Sequence, residues 1–311
     1  MKTIPLGNTG VKVSALCLGA MYFGTRQDEA TSFRLLDAYA DAGGSFIDSA
    51  NIYAHWVAGF RGGESEALLA RWMQARNNRS QVFLATKVGF DYAGVPRGLT
   101  PALIQAECEK SLKRLGVDTI DLYYAHVDDP ITPLEVALGA FDRLVQQGKV
   151  RYIGASNYTA WRLEEARWTS QVNNLVSFCC LQQRHTYLQP KHGASFSPQK
   201  HINDDLLDYA RNRPITLLAY SALLSGGYAH PEKYDFSPYQ GAHTNARLAM
   251  LRKVAAEKAL SVNQVVLAWM LNNHPQILPL IAASTLEQLR ENLAALDVIL
   301  TEDEIRRLNT A

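Results

Sequence analysis

Cysteine is scarce in this chain, with 4 in 311 residues, and no two of them form a CxxC pair. That spacing excludes a thioredoxin-like redox pair, and no cluster of His and Cys has the spacing of a zinc site, so no metal is expected. Cys17, Cys179 and Cys180 fall in apolar runs that read as strands, and Cys108 lies on a helical pattern. All four are expected as buried, reduced thiols of a cytoplasmic protein. Charge of one sign is also lacking. The 31 basic and 30 acidic residues leave a net charge of +1, which gives no electrostatic reason to expect nucleic acid or an anionic membrane as partner. No apolar run approaches the roughly 18 residues of a membrane span, and the opening MKTIPLGNTG lacks the apolar core of a signal peptide. Finally, no GxGxxG follows any strand-like segment, which argues against a doubly wound dinucleotide fold.

What is present is a rhythm. Short continuous apolar segments over residues 15–19, 45–48, 82–86, 120–125, 152–155, 175–180, 215–220 and 277–281 alternate with longer amphipathic ones. Continuous rather than alternating apolar strands are typical of a parallel sheet covered on both faces. Several helical patterns open on caps: Thr100-Pro101, Thr132-Pro133-Leu134-Glu135, Thr285-Leu286-Glu287-Gln288 and Thr301-Glu302-Asp303-Glu304. Eight such units without a change of composition predict one α/β domain over residues 1–311, a (β/α)8 TIM barrel. Residues 3–6 and 11–13, around Gly7-Asn8-Thr9-Gly10, predict an N-terminal β-hairpin at the barrel bottom, and residues from Thr301 predict a C-terminal helix. Two stretches interrupt the rhythm, residues 89–98 and 225–245. Both follow strands and are expected over the C-terminal rim, as substrate lids.

Barrel enzymes place chemistry where strands end. Asp48 closes the second strand, with Tyr53 shortly after; Lys87 closes the third, and His126 the fourth. An acid, a phenol, an amine and an imidazole on neighbouring strand ends suit one task, protonating an oxygen as a hydride arrives at carbon. In this reading Tyr53 is the general acid, Lys87 lowers its pKa, Asp48 keeps Lys87 charged, and His126 bonds the substrate oxygen. A Schiff-base aldolase using Lys87 is the rival reading on the same barrel, and Asp48 beside the lysine opposes it.

In order, spacing and context these four residues resemble the catalytic tetrad of the aldo-keto reductases. The resemblance runs through Pro5-Leu6-Gly7, Asp48-Ser49-Ala50, Gly63-Glu64-Ser65-Glu66, Leu112-Lys113-Arg114-Leu115, Gly148-Lys149-Val150-Arg151-Tyr152-Ile153-Gly154, Ala155-Ser156-Asn157 and Tyr220-Ser221 to Asn292. It implies an oxidoreductase that reduces an aldehyde, a ketone or a sugar, with NADP(H) or NAD(H) bound in extended form and no Rossmann domain. An aldose dehydrogenase working in the oxidative direction with NAD is the alternative within catalysis. A bound cofactor reporting to a partner protein is the non-catalytic alternative within the same family.

The resemblance also implies a cofactor site. Gly19 ends the first strand and Met21 follows it; Ser156, Asn157 and Gln182 match the residues that bond the carboxamide. His185 stands at the place of the aromatic ring that stacks on the nicotinamide, with Tyr187 as its substitute. Tyr220, Ser221, Leu223 and Gly226 match the loop around the pyrophosphate, and Ser284, Thr285, Gln288, Glu291 and Asn292 match the adenosine end. There the chain departs from the family pattern, because Gln288 stands where a cation for the 2′-phosphate is common. Tyr22, Trp56, Phe90 and Tyr92 are expected as substrate walls, with His55, Arg61, Asp128 and Asp129 adding polar groups.

Overall fold

The computed structural model describes residues 1–311. Eight parallel strands close into a barrel: β3 (Cys17–Gly19), β4 (Phe46–Asp48), β5 (Phe83–Val88), β6 (Ile120–Ala125), β7 (Val150–Ser156), β8 (Cys180–Arg184), β9 (Thr216–Tyr220) and β10 (Ile277–Ile281), the last pairing back onto β3. Helices α1 (Glu29–Asp41), α2 (Glu64–Arg76), α3 (Pro101–Leu115), α4 (Leu134–Gln146), α5 (Ala160–Val172), α6 (Asp204–Asn212), α7 (Thr244–Glu257), α8 (Val262–Asn272), α9 (Leu286–Ala294) and α10 (Glu302–Thr310) form the outer layer. None of them is long and apolar enough to cross a membrane.

The barrel closes because its strands bury both faces. Every residue of β6 is buried, and the same apolar core takes in the inner faces of the helices. Where two layers press together only glycine fits. A Cβ on Gly154 of β7 would stand 2.7 Å from the Tyr124 ring and 2.8 Å from Cys180 Sγ.

The expected hairpin forms from β1 (Thr3–Pro5) and β2 (Lys12–Ser14), paired antiparallel. Its tip meets the entry ends of two strands: the Gly7 amide donates to Thr216 Oγ1 at the start of β9, and Gly7 (φ 52°) packs against the Cys179 carbonyl, leaving no room for a side chain. The hairpin therefore covers the end opposite the functional rim.

Two local expectations are corrected. The sixth barrel strand is β8, not residues 175–180, and the two share only Cys180. The apolar run before it is a connection whose amides bond Ser170 and Asp142, while polar Gln182 and Gln183 sit inside the strand because each finds a buried partner. Thr132 does not cap α4; its hydroxyl donates to Asp129, and Pro133 occupies the cap position. Thr100, Thr285 and Thr301 cap as expected, though the Gln288 side chain accepts from Ser284 rather than from its own cap. All four cysteines are buried and free.

Candidate active site

The tetrad positions come together on the rim where the strands end. Lys87 is fully buried, and its three N–H protons find three acceptors: Asp48 Oδ2 at 2.5 Å, the Ser49 carbonyl at 2.7 Å and Tyr53 Oη at 2.6 Å. The phenol of Tyr53 donates to Asp48 Oδ2 at 3.0 Å. The other carboxylate oxygen, Oδ1, accepts from Gln182 Nε2 at 2.8 Å, across the barrel from β8. The His126 ring lies edge-on to Tyr53, with centroids 6.2 Å apart, and edge-on to Phe90 at 4.7 Å. His126 Nδ1 is buried without a partner in the protein. Ala54, beside Tyr53, holds φ at +67°, a strained backbone for alanine of the kind found at functional turns.

Burial and the adjacent Asp48 charge push the Tyr53 phenol well above its ordinary pKa. This is opposite to the lowering expected from Lys87. The reason is geometric: Asp48 accepts the phenolic proton as well as a proton of the ammonium, so both burial and charge penalise the phenolate. Burial pulls Lys87 below the usual lysine value, against the pull of Asp48. Burial first, and the Lys87 charge second, hold His126 well below the usual imidazole value. At neutral pH the site thus presents a protonated phenol and a neutral imidazole.

The polar residues of the neighbouring strand ends continue this ring. Asn157, left-handed at φ 61°, donates to Ser156 Oγ and to the His126 carbonyl, and accepts from the Tyr220 hydroxyl at 2.8 Å and from the Lys200 amide. Gly19 pairs with Asp48 in register, and Met21 and Tyr22 follow it on the same rim, half-buried. After β9 the backbone turns left-handed at Ser221, Leu224, Ser225 and Gly226. Successive amides in such a turn form a concavity for an anion, and those of Ala222 and Leu223 donate to no carbonyl of the chain. This loop and the Ser156–Asn157–Gln182 ring fit an extended nicotinamide dinucleotide. Ser284 and Thr285, expected from the sequence at the adenosine end, are exposed at the start of α9. Gln288 folds back onto the Ser284 amide, Glu291 accepts from Ser261, and Asn292 donates to the Ala282 carbonyl.

Several expected residues lie elsewhere. His185 turns outward, its ring stacked on Trp269 of α8 with centroids 5.5 Å apart, and Tyr187 is buried with its hydroxyl on the Leu308 carbonyl. Neither faces the rim. Side chains alternate along a strand, so with Gln182 pointing inward Arg184 points inward too, and His185 points out. Arg184 lies with its guanidinium 6.0 Å from the Tyr220 ring. Tyr220, not His185 or Tyr187, is the aromatic ring beside Asn157. Tyr92 is also withdrawn; its hydroxyl donates to Glu107 Oε2 at 2.5 Å, on the carboxylate that also accepts from Asn51. That buried contact, unforeseen in the sequence, ties the 89–98 loop to the turn carrying Tyr53. Asp128 pairs with Arg162, and Asp129 accepts from the Leu99 amide and Thr132, so both carboxylates are consumed by the fold. Tyr22 and Trp56 remain at the mouth, edge to face at 6.4 Å, with His55 against Trp56 and Arg61 exposed nearby. The tyrosines of the 225–245 stretch pack it down: Tyr228 bonds Thr186, and Tyr239 is buried.

The chain is thus a closed (β/α)8 barrel with a lysine, a carboxylate and a phenol interlocked at its strand ends. The Aldo/keto reductase family model matches residues 15–311, and the chain belongs to that family. It is 33% identical over 325 residues to the oxidoreductase YrpG of Bacillus subtilis, covering 98% of this chain and 94% of that one. It is 30% identical to norsolorinic acid reductase A of Aspergillus parasiticus, covering 98% and 79%. A thermostable aldo-keto reductase crystallised with the inhibitor epalrestat superposes with a TM-score of 0.78 at 27% identity, covering 100% and 99%. The chain is accordingly an NAD(P)H-dependent oxidoreductase of a family that acts on small carbonyl compounds.

Proposed function

We propose that this chain reduces an aromatic aldehyde or ketone to the alcohol, with Tyr53 as the general acid. The observation that carries the reading is the triple engagement of Lys87 by Asp48, Ser49 and Tyr53. It fixes the phenol and holds the lysine as an ammonium whose three N–H groups are all engaged, leaving no lone pair for a Schiff base. A reduced nicotinamide supplies the hydride. The residues do the rest: His126 bonds the carbonyl oxygen, Tyr53 gives that oxygen its proton, and Lys87 stabilises the phenolate that remains. Ser156, Asn157 and Gln182 orient the carboxamide, and Tyr220 supplies the stacking ring.

An aromatic substrate is favoured over a sugar because Tyr22, Trp56 and Phe90 are the walls, whereas the carboxylates of Asp128 and Asp129 are spoken for. For the cofactor, Ser284, Thr285 and the α9 N-terminus offer hydrogen bonds to a 2′-phosphate without a bidentate arginine. NADPH is therefore expected to be preferred over NADH by no more than roughly a hundredfold. A panel of aryl aldehydes, aryl ketones and aldoses against both reduced cofactors tests these readings. Turnover confined to aldoses contradicts the first, and strict use of one cofactor contradicts the second.

The displaced pKa values predict a pH profile. With the phenol raised and the imidazole lowered, the protonated Tyr53 and neutral His126 persist together across neutral pH. The rate of carbonyl reduction is expected to show no inflection near the ordinary histidine value of about 6.5. An inflection there that disappears in His126→Gln would show that His126 titrates in the working range.

A further inference from the structure

A cavity of about 450 Å³ lies outside the barrel, between α6 and α8, and no tetrad residue lines it. Arg184, Arg211 and Arg247 are among its lining residues, with Asp204 the single carboxylate-bearing one. None of the three arginines has a carboxylate within ion-pair distance. Arg184 bonds the neutral Gln199 Oε1 and the Tyr239 hydroxyl. Arg247 is only 4% exposed, and its Nε and Nη2 both donate to the Tyr187 carbonyl. Its Nη1 donates to nothing in the chain, and burial pulls its pKa below the usual arginine value.

A buried charge without a counter-charge is costly, and folds retain one mainly where something pairs with it. The Tyr187 carbonyl and the ring beneath it, 4.2 Å from the guanidinium, compensate only part of that cost. Trp269, held by its stack on His185, and Leu207 supply apolar lining to the same cavity. The volume falls in the range of small-molecule sites and exceeds what a lone inorganic anion fills.

We propose that this cavity is a second binding site, for a small organic anion whose carboxylate pairs with Arg247 and Arg211 and whose body lies against Trp269. The site is separate from the carbonyl-reducing rim and does not depend on the function proposed for it.

Tryptophan resonances separate the two places, because Trp269 lines the cavity while Trp56 stands at the active-site mouth. The 311-residue protein is labelled with 5-fluorotryptophan, the Trp269 signal is assigned from Trp269→Phe, and benzoate is titrated with fluorine NMR as readout. The expected result is a saturable shift of the Trp269 signal that is unaffected by Tyr53→Phe. Arg211→Glu, a change at an exposed position that leaves the Arg247 contacts intact, is expected to weaken binding roughly tenfold or more. Benzamide, the neutral isostere, is expected to produce no such shift. The proposal is overturned if the Trp269 signal does not move, if only Trp56 responds, or if benzamide or Arg211→Glu behaves like benzoate on the unaltered protein.

Discussion

Tyr53→Phe is expected to lower the rate of carbonyl reduction by roughly 10²–10⁴ while leaving nicotinamide binding unchanged. The substitution keeps the ring under Lys87, whose ammonium lies 4.4 Å from the ring centroid, and removes only the hydroxyl. No neighbouring group can take over the proton. Lys87 stays held by Asp48 Oδ2 and the Ser49 carbonyl after its third acceptor leaves with the hydroxyl, and His126 is neutral because burial disfavours its charged form. The phenol is raised, so it carries its proton when an alkoxide forms beside it. Steady-state kinetics with a fluorescence titration of the cofactor separates the two effects. A loss of less than about tenfold would remove Tyr53 from the acid role.

Lys87→Met has the largest expected effect on stability. Lys87 and Asp48 are both fully buried and paired at 2.5 Å. Deleting one partner of such a pair leaves an uncompensated charge in the core, at a cost of about 3–5 kcal/mol. Gln182 and Tyr53 still donate to Asp48, which places the loss toward the lower end of that range. The double change Lys87→Met with Asp48→Asn removes both charges and is expected to recover much of the stability and none of the activity. Urea unfolding of the four proteins gives the cycle. A single-variant loss under about 1 kcal/mol, or additive effects in the double variant, would show that the pair is not energetically coupled.

The barrel was legible in the sequence because parallel strands covered on both faces leave an uninterrupted apolar signature, and seven of the eight segments fall where strands form. The exception is instructive. Residues 175–180 are more apolar than β8, whose Gln182 and Gln183 are paid for by buried hydrogen bonds that no composition rule can see. The tetrad was legible because strand ends are a topological address. The aromatic ring beside Asn157 was misjudged by counting three residues from Gln182. Strand parity alone places position 185 on the outer face and position 184 on the inner one. Tyr92 and the two aspartates after His126 were misread for a different reason. Their residue types suit a binding mouth, and only the third dimension reveals Glu107, Arg162 and Thr132 already holding them. The direction of the Tyr53 shift belongs to the same category, since it depends on Asp48 touching both the amine and the phenol.

On the proposed reading, this chain passes a hydride to a carbonyl carbon and a proton from Tyr53 to its oxygen. The most direct measurement follows deuterium from the 4-position of reduced NADP, labelled stereospecifically, into the product of an aryl aldehyde. One deuterium is expected on the carbinol carbon of each product molecule in the presence of the protein, with almost no product formed by Tyr53→Phe in the same time. An alcohol whose carbinol carbon carries solvent hydrogen instead, or product formed equally well by the variant, would contradict it.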